Sequence, residues 1–259
     1  MITVGLDLGS VTTKAVLVEG TVWTSLIRPT GYSPRQAGKE VFEKLLGNAG
    51  LTRRDVNCIV GTGYGRMSLP FIDKAVTEIT CHAKGAHYLV SEVDMVIDIG
   101  GQDSKVITID RCGNVTDFAM NDRCAAGTGK FLEVIAAALG VDVSELAMLS
   151  KDADPVQTSN MCTVFVESEV ISLLAEGVER ERIIAGIHQS VAVRVSAMAE
   201  RLGKGENIVF TGGVAKNEGV KEFLIKELGR ELIVIPELQI AGALGAALLA
   251  QEEVKIKSL

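Results

Sequence analysis

Short apolar runs alternate with amphipathic helical patterns along the whole chain. The apolar runs predict strands at residues 2–8, 14–18, 56–60, 95–99, 105–109, 115–120, 207–210 and 232–235. The helical patterns predict helices at residues 33–47, 73–90, 129–139, from 144, 163–176, 181–202, after 217 and from about 241. Ser33 and Ser144 are the expected N-caps of two of these helices. Strands that alternate with helices predict an α/β fold.

One pattern, D-x-G-x-x-x-x-K between two apolar strands, occurs twice. The first copy runs from Asp7 to Lys14 and the second from Asp98 to Lys105. A repeat at this separation fits a duplicated domain better than a solenoid. We therefore expect two related halves that face each other across a cleft. The first half is predicted to comprise residues 1–68 plus 243–259, and the second residues 69–242.

Each copy has the features of a phosphate-binding hairpin. Glycine lets backbone N–H groups close on a phosphate, while hydroxyl groups and a lysine add donors and charge. Asp7 and Asp98 end their strands and are suited to hold Mg²⁺ through water, because magnesium takes few carboxylates. The candidate phosphate contacts are Gly9, Ser10, Val11, Thr12, Thr13 and Lys14 in the first copy, and Gly100, Gly101 and Gln102 in the second.

A third glycine turn follows the strand at 207–210. We expect this strand-to-helix junction to approach the nucleoside or a phosphate, with contacts from Thr211, Gly212, Gly213, Val214 and Asn217. Gln239 and Gly242 are predicted to line the same pocket. A single D-x-G turn is often a plain hairpin, but two matched copies and a third glycine turn favour nucleotide binding.

The whole arrangement resembles the actin, Hsp70 and sugar-kinase superfamily of duplicated, ribonuclease H-like domains. That resemblance implies ATP or ADP with Mg²⁺ in the cleft, and domain closure as the mechanical output. Catalysis would consist mainly of positioning and charge neutralisation. Gln102 or Asp103 is the candidate to orient an attacking water. We see no separate sugar-binding cluster, so we expect hydrolysis rather than transfer to a substrate.

Composition narrows the possible partners. The net charge is −7 and the basic residues form no run, which argues against a nucleic-acid surface. The start lacks a basic signal region, and the longest uncharged apolar stretch is far short of the ~20 residues that span a bilayer. We expect a cytoplasmic protein that binds neither nucleic acid nor membrane.

Two of the five cysteines precede helical patterns. Cys124 lies before a glycine-rich turn and the helix from 129, and Cys162 directly before the helix from 163. A helix N-terminus favours the thiolate, which attacks electrophiles or binds metal. A [4Fe-4S] cluster usually takes four thiolates, so a two-fold dimer would supply them from two chains. Spacing alone favours the plainer interpretation that both are small buried residues.

Four runs closely resemble activators of 2-hydroxyacyl-CoA dehydratases, which belong with the ATPase subunits of benzoyl-CoA reductase. These runs are Asn121–Phe131, Cys162–Ser172, Asp98–Asp103 and Gly61–Arg66. The resemblance implies a homodimeric ATPase with one bridging [4Fe-4S] cluster, held by Cys124 and Cys162 of each chain. It also implies electron transfer to a dehydratase, an aryl-CoA reductase or a double-cubane cluster protein. The expected electron donor is ferredoxin or flavodoxin, in an anaerobic cell.

Two other functions fit parts of the sequence. A small-molecule kinase of the same fold would need neither cysteine for chemistry. A nucleotide switch that binds a partner without redox chemistry would also leave both cysteines structural. Cys58 and Cys112 are expected to be structural or incidental, and Cys81 with His82 makes a poor shared metal site because adjacent helical residues diverge.

Overall fold

Two five-stranded sheets have the same strand order in a computed structural model of the chain. The first sheet has the order β3-β2-β1-β4-β5 and consists of β1 (Ile2–Leu8), β2 (Thr12–Glu19), β3 (Val22–Pro29), β4 (Cys58–Thr62) and β5 (Lys74–Ala75). The second has the order β8-β7-β6-β9-β10 and consists of β6 (Met95–Ile99), β7 (Ser104–Ile109), β8 (Val115–Asn121), β9 (Ile208–Thr211) and β10 (Leu232–Ile233).

Strand directions also match between the sheets. The first strand of each sheet pairs antiparallel with the second and parallel with the fourth. The predicted duplicated α/β fold is therefore confirmed. The sequence pattern did not predict strand β3, because its residues are exposed or half-buried and form no apolar run.

The first sheet lies in one compact unit, and the second sheet lies almost entirely in another. The structure describes residues 1–122, 125–158, 163–203 and 205–257. The first unit comprises Met1–Val93, Ile109–Thr116 and Ile235–Leu259, and the second comprises Asp94–Thr108 and Asp117–Val234.

Eight α-helices occur in the part of the chain that the structure describes. They are α1 (Pro34–Asn48), α2 (Glu78–Leu89), α3 (Gly129–Leu139), α4 (Leu146–Leu149), α5 (Thr163–Ala175), α6 (Arg180–Leu202), α7 (Glu218–Leu228) and α8 (Ala241–Lys257). Ser33 caps α1 as predicted, since its Oγ accepts from the backbone N–H of Gln36 at 3.2 Å. Ser144 does not cap a helix. Instead, Asp142 accepts from the Ser144 N–H at 2.8 Å and begins a short 3-10 turn before α4.

Helix α8 packs very closely in the first unit because the contacts are made by glycine and alanine. A Cβ atom added to Gly5 of β1 would run into the carbonyl oxygen of Ala243, and one added to Gly85 of α2 would run into that of Ala241. A Cβ atom on Gly245 would likewise meet the carbonyl oxygen of Cys81. Helix α8 is consequently buried against both α2 and the sheet over residues 241–247, which explains the uniformly apolar sequence of its first ten residues.

The observed units differ from the predicted division at residues 68/69 and 242/243. The stretch 73–90 was predicted as one helix, but Lys74–Ala75 pairs with β4 and the helix begins only at Glu78. Because α2 contacts α8 through Gly85 and Gly245, it belongs to the first unit.

Candidate functional site

The first hairpin joins a carboxylate and an ammonium group across its two strands. Asp7 of β1 lies opposite Lys14 of β2, and the lysine Nζ is 2.9 Å from Oδ2 of Asp7. The Lys14 side chain is 18% exposed, against 6% for Asp7. This lysine therefore neutralises the carboxylate while part of it still reaches solvent.

The second hairpin has the same pair in a more buried setting. Asp98 lies opposite Lys105, with Nζ 3.4 Å from Oδ2 of Asp98. The same Nζ lies 2.7 Å from Oδ2 of Asp103, and the Lys105 side chain is only 4% exposed. One cation is thus shared by two buried carboxylates, so Lys105 neutralises the protein's own acids.

The parallel strands bring a threonine beside each aspartate. Thr62 of β4 lies opposite Asp7, and Thr211 of β9 lies opposite Asp98. The Thr211 hydroxyl donates to Oδ1 of Asp98 at 2.7 Å. The internal repeat therefore includes a Thr-Gly pair in each half. Sequence reasoning assigned only the second pair to the nucleotide, because the strand register that matches them is not visible in the sequence.

Gly63, which follows Thr62, closes one side of the Asp7 carboxylate. Its φ is +81°, and a Cβ atom there would lie 2.6 Å from Oδ1 of Asp7 and 2.8 Å from the carbonyl oxygen of Leu8. Arg66 donates from Nη1 to the carbonyl oxygen of Gly63 at 3.1 Å and lies 3.3 Å from Oε2 of Glu78. Arg66 thus holds this turn beside Asp7.

The turn of the first hairpin leaves its tip accessible. A Cβ atom on Gly9 would lie 2.7 Å from the carbonyl oxygen of Thr12, so the turn needs glycine at this position. Ser10 and Thr12 are half-buried, and Val11 is 46% exposed. These residues can present backbone and hydroxyl groups to a ligand.

Thr13 points to the interior instead. Its side chain is fully buried, and its hydroxyl lies 2.9 Å from that of Thr30, which in turn donates to the carbonyl oxygen of Gly9 at 2.7 Å. The structure thus differs from the expectation that the Thr13 hydroxyl faces a phosphate. Alternation along β2 explains the difference, because neighbours of Lys14 point to the opposite face of the sheet.

The turn of the second hairpin separates the two candidates for water positioning. Gln102 is exposed at the tip, next to the half-buried Gly100 and Gly101. Asp103 is buried, and its carboxylate is paired with Lys105. Of the two side chains, that of Gln102 is therefore the one accessible to a ligand.

The third glycine turn, at Gly212 and Gly213, has one glycine that is tightly packed and one that has space around it. Gly212 has φ +87°, and a Cβ atom there would run into the carbonyl oxygen of Ile99. Gly213 is exposed, and a Cβ atom there would meet no described atom within 4 Å. Val214, the next residue, is buried. The turn is thus fixed at Gly212 and has room for a ligand at Gly213.

Asn217 ends this turn and caps the following helix. Its Oδ1 accepts from the N–H of Val220 at 3.0 Å, and its Nδ2 lies 3.3 Å from Nε2 of His188. Because Nδ2 is a donor, Nε2 of His188 accepts and Nδ1 carries the proton, which it donates to the Ser150 hydroxyl 3.0 Å away. Burial lowers the pKa of His188 to about 4, so the ring is neutral at physiological pH.

Gly242 lies at the start of α8, close to the carboxylate of Asp7. A Cβ atom there would be 3.3 Å from Oδ2 of Asp7 and 2.8 Å from Nε2 of His82. The buried His82 ring is thus a neighbour of the Asp7 region, which sequence reasoning missed because His82 and Asp7 are far apart in sequence. Gln239, in the 3-10 turn before α8, is half-buried.

Comparison with known proteins decides the family. The model of the BadF/BadG/BcrA/BcrD ATPase family matches residues 4–250. The chain belongs to this family. Membership of an ATPase family supports the ATP or ADP binding that the hairpins predict.

Three activators of acyl-CoA dehydratases resemble the chain over nearly its whole length. An activator of lactoyl-CoA dehydratase from Anaerotignum propionicum is 46% identical over 99% of this chain and 100% of its own. The activator of 2-hydroxyisocaproyl-CoA dehydratase from Clostridium difficile, solved with bound ADPNP, is 45% identical over 100% of this chain and 97% of its own, with a TM-score of 0.89. Component A of (R)-2-hydroxyglutaryl-CoA dehydratase from Acidaminococcus fermentans is 44% identical over 98% of this chain and 99% of its own, with a TM-score of 0.93.

The two cysteines on which the sequence interpretation depends, Cys124 and Cys162, lie outside the described residues. The helices that follow them are described: α3 begins at Gly129 and α5 at Thr163, and the two helices contact each other in the second unit. Both family motifs therefore lead into neighbouring helices.

The remaining cysteines have different surroundings. Burial raises the pKa of the Cys81 thiol to about 12, and burial also raises the pKa of Cys58. Both are therefore protonated at neutral pH. Cys112 is exposed in the turn between β7 and β8. Within the described parts of this family member, no helix is long and apolar enough to cross a membrane.

Proposed function

We propose that this chain is an ATP-driven electron donor that activates a 2-hydroxyacyl-CoA dehydratase. It would pass single electrons of low potential to an iron-sulfur centre of that partner. The observation that carries the proposal is the combination, in the second unit, of a phosphate-type hairpin with the two contacting helices that follow Cys124 and Cys162. The similarity to three activators supports it. Because those three serve different acyl-CoA substrates at similar identity, the similarity favours the shared activity and not one acyl group.

The nucleotide would be ATP or ADP held by both hairpins and by the Thr211–Gly213 turn. Lys14, which is paired with Asp7 yet partly exposed, supplies charge for the phosphates. Asp7 and Asp98 would hold Mg²⁺ through its water ligands. The donor set fits this arrangement, because Asp7 and Asp98 each offer one carboxylate at the end of a strand. Magnesium bound mainly by water and phosphate needs only one or two carboxylates.

Gln102 is the side chain we assign to orient the attacking water. It is exposed at the tip of the second hairpin, where a terminal phosphate would be bound. Asp103 would act indirectly, because its carboxylate holds Lys105 in the buried cluster. Hydrolysis would then depend on positioning and charge neutralisation, as in other phosphoryl-transfer sites.

One [4Fe-4S] cluster per homodimer would be held by Cys124 and Cys162 of each chain. When bound, the cluster supplies one-electron chemistry at low potential. The donor chemistry fits best for Cys162, which directly precedes α5 in the sequence, since a thiolate at a helix N-terminus is stabilised by the helix dipole. Cys124 precedes α3 by the four residues 125–128. Cys58 and Cys81 fit poorly, because burial keeps their thiols protonated.

A ferredoxin or flavodoxin would reduce the cluster, and a dehydratase would accept the electron. A cluster shared between two chains would be accessible to oxygen, so the protein would work in the cytoplasm of an anaerobic cell.

An activation assay under anaerobic conditions tests the function. A 2-hydroxyacyl-CoA dehydratase should become active only with this chain, ATP and a low-potential reductant present together. The Cys124→Ala variant should still bind ATP but should not activate the dehydratase. If the chain activates an aryl-CoA reductase but no dehydratase, its partner is an aryl-CoA reductase. Equal activation by Cys124→Ala would favour a nucleotide switch without redox chemistry, and a phosphorylated small-molecule product would favour a kinase.

A further inference from the structure

Helix α3, which follows Cys124, begins directly on the second hairpin. The N–H of Gly129 donates to the carbonyl oxygen of Gly100 at 2.9 Å, and the N–H of Lys130 donates to that of Gly101, also at 2.9 Å. The first N–H groups of a helix have no partner within the helix. Here two of them bind the turn that we assign to the phosphates.

The start of α3 fits tightly against two nucleotide elements. A Cβ atom on Gly129 would lie 3.3 Å from the carbonyl oxygen of Gly100 and 3.4 Å from Cα of Gly101. It would also lie 3.7 Å from Cγ2 of Val214, in the third glycine turn. The second hairpin and the first turn of α3 are therefore in direct contact. A displacement of the hairpin would act on that turn.

The segment between Cys124 and α3 is itself well fixed. The Thr128 side chain is fully buried, and its hydroxyl donates to the carbonyl oxygen of Ala125 at 2.6 Å. Asn121 donates from Nδ2 to the carbonyl oxygen of Ala126 at 3.2 Å. A movement of α3 would consequently reach the residue next to Cys124 and would not be absorbed by a loose loop.

Further along, α3 is embedded in the core of the second unit. Phe131, Leu132 and Ile135 are buried in one cluster with Val166 and Val170 of α5. Close-packed helices shift as bodies more readily than they deform. The helix after Cys162 would therefore respond together with the helix after Cys124.

We propose that the hydrogen bonds from Gly129 and Lys130 to Gly100 and Gly101 transmit the nucleotide state of the second hairpin to Cys124. The inference rests on the proposed function. A trans peptide is planar, and its N–H and C=O groups point in opposite directions. The carbonyl of Gly100 shares a peptide plane with the N–H of Gly101, and the carbonyl of Gly101 shares one with the N–H of Gln102. A phosphate that binds those N–H groups therefore turns the same two planes that hold α3.

This route lies entirely within the second unit. Communication between the second hairpin and Cys124 would therefore not require the two units to move relative to each other. The coupling must also be reciprocal, because a link between two binding events changes both affinities by the same factor.

Gly129→Ala is the variant that tests the link. Its methyl group forces the helix start and the hairpin apart by a few tenths of an ångström, while alanine is otherwise favourable in a helix. Lys130→Ala is the matched control, because it removes an exposed side chain paired with Glu133 but keeps the backbone N–H. Thermal unfolding and iron content verify that both variants fold and load.

Two measurements are decisive. In anaerobic protein, a non-hydrolysable ATP analogue in place of ADP should change the electron paramagnetic resonance spectrum of the reduced cluster in wild type and Lys130→Ala, and much less in Gly129→Ala. Cys124→Ala should change the affinity for ATP by about 5-fold or more in the wild-type background and by less than about 2-fold in Gly129→Ala. A full spectral response and an unchanged affinity difference in Gly129→Ala would overturn the proposed link.

Hydrogen exchange of backbone amides tests the same link in wild-type protein and so does not depend on the behaviour of Gly129→Ala. In wild-type protein, the ATP analogue should change the protection of the Gly129 and Lys130 amides relative to ADP, and unchanged protection would overturn the link. Failure of the proposed electron transfer has a different signature, since the wild-type protein would then carry no cluster at all.

Discussion

Lys105 and Asp103 form a buried ion pair in the second hairpin, with Nζ 2.7 Å from Oδ2. The matching lysine of the first hairpin, Lys14, has Asp7 as its acidic partner at 2.9 Å and is more exposed. Two lysines at the same place in a sequence repeat therefore have different roles. We propose that Lys14 contacts a phosphate, whereas Lys105 stabilises the fold around Asp98.

Replacement of each lysine by methionine should separate these roles. Lys14→Met should weaken ATP binding about tenfold or more. Because it leaves the buried Asp7 carboxylate without its cation, it should also lower the free energy of unfolding, but by less than Lys105→Met, which affects two buried carboxylates. Lys105→Met removes the cation between two buried carboxylates and should lower the free energy of unfolding by about 3–5 kcal/mol. Calorimetric titration with ATP and chemical denaturation measure the two quantities. Weaker ATP binding with unchanged stability in Lys105→Met would contradict this assignment.

The two glycines of the third turn provide a matched pair for a second prediction. Gly212→Ala places a methyl group against the carbonyl oxygen of Ile99 at a φ of +87°, so it should destabilise the fold by on the order of 3 kcal/mol or more. Gly213→Ala adds a methyl group where no described atom lies within 4 Å, so the fold should stay within about 1 kcal/mol of wild type.

Gly213→Ala should nevertheless reduce ATP affinity, because its methyl group enters the space proposed for the nucleotide. The measurements are thermal unfolding and ATP titration. If a folded Gly213→Ala protein binds ATP with wild-type affinity, the nucleotide does not bind beside Gly213.

His188 should make stability depend on pH in a defined window. Its pKa is about 4 in the folded protein and 6.5 in the unfolded chain, so between these values the unfolded chain binds the extra proton. Stability is therefore lost as the pH falls from 6.5 to 4, by about 3 kcal/mol for this residue. Glutamine does not titrate, so the difference in unfolding free energy between wild type and His188→Gln should change by that amount across the window. Parallel curves for the two proteins would show that His188 is not held neutral.

Much of the fold could be predicted from sequence because apolar periodicity reflects burial. The strands at residues 2–8 and 95–99 and the helix from Gly129 to Leu139 are confirmed at or near their predicted bounds. Strand β3 was missed because it is not apolar throughout, and the helix at 73–90 was predicted too long because Lys74–Ala75 forms a short strand. Local pattern does not reveal which strands pair.

The candidate site was only partly predictable for the same reason. The D-x-G-x-x-x-x-K repeat identified Asp7 and Asp98, but the match between Thr62 and Thr211 depends on parallel register. The inward direction of Thr13 depends on the face of β2 that packs on the core. The two bonds from α3 to Gly100 and Gly101 join residues that no short motif connects.

The most direct test of the account is the iron and sulfide content of anaerobically purified protein. Wild type should carry about four irons and four sulfides per dimer, and Cys124→Ala and Cys162→Ala should each lose them. Cys112→Ala, which removes an exposed thiol outside the two family motifs, should keep them. Wild-type protein without iron after anaerobic reconstitution, or a full cluster in Cys124→Ala, would contradict the account.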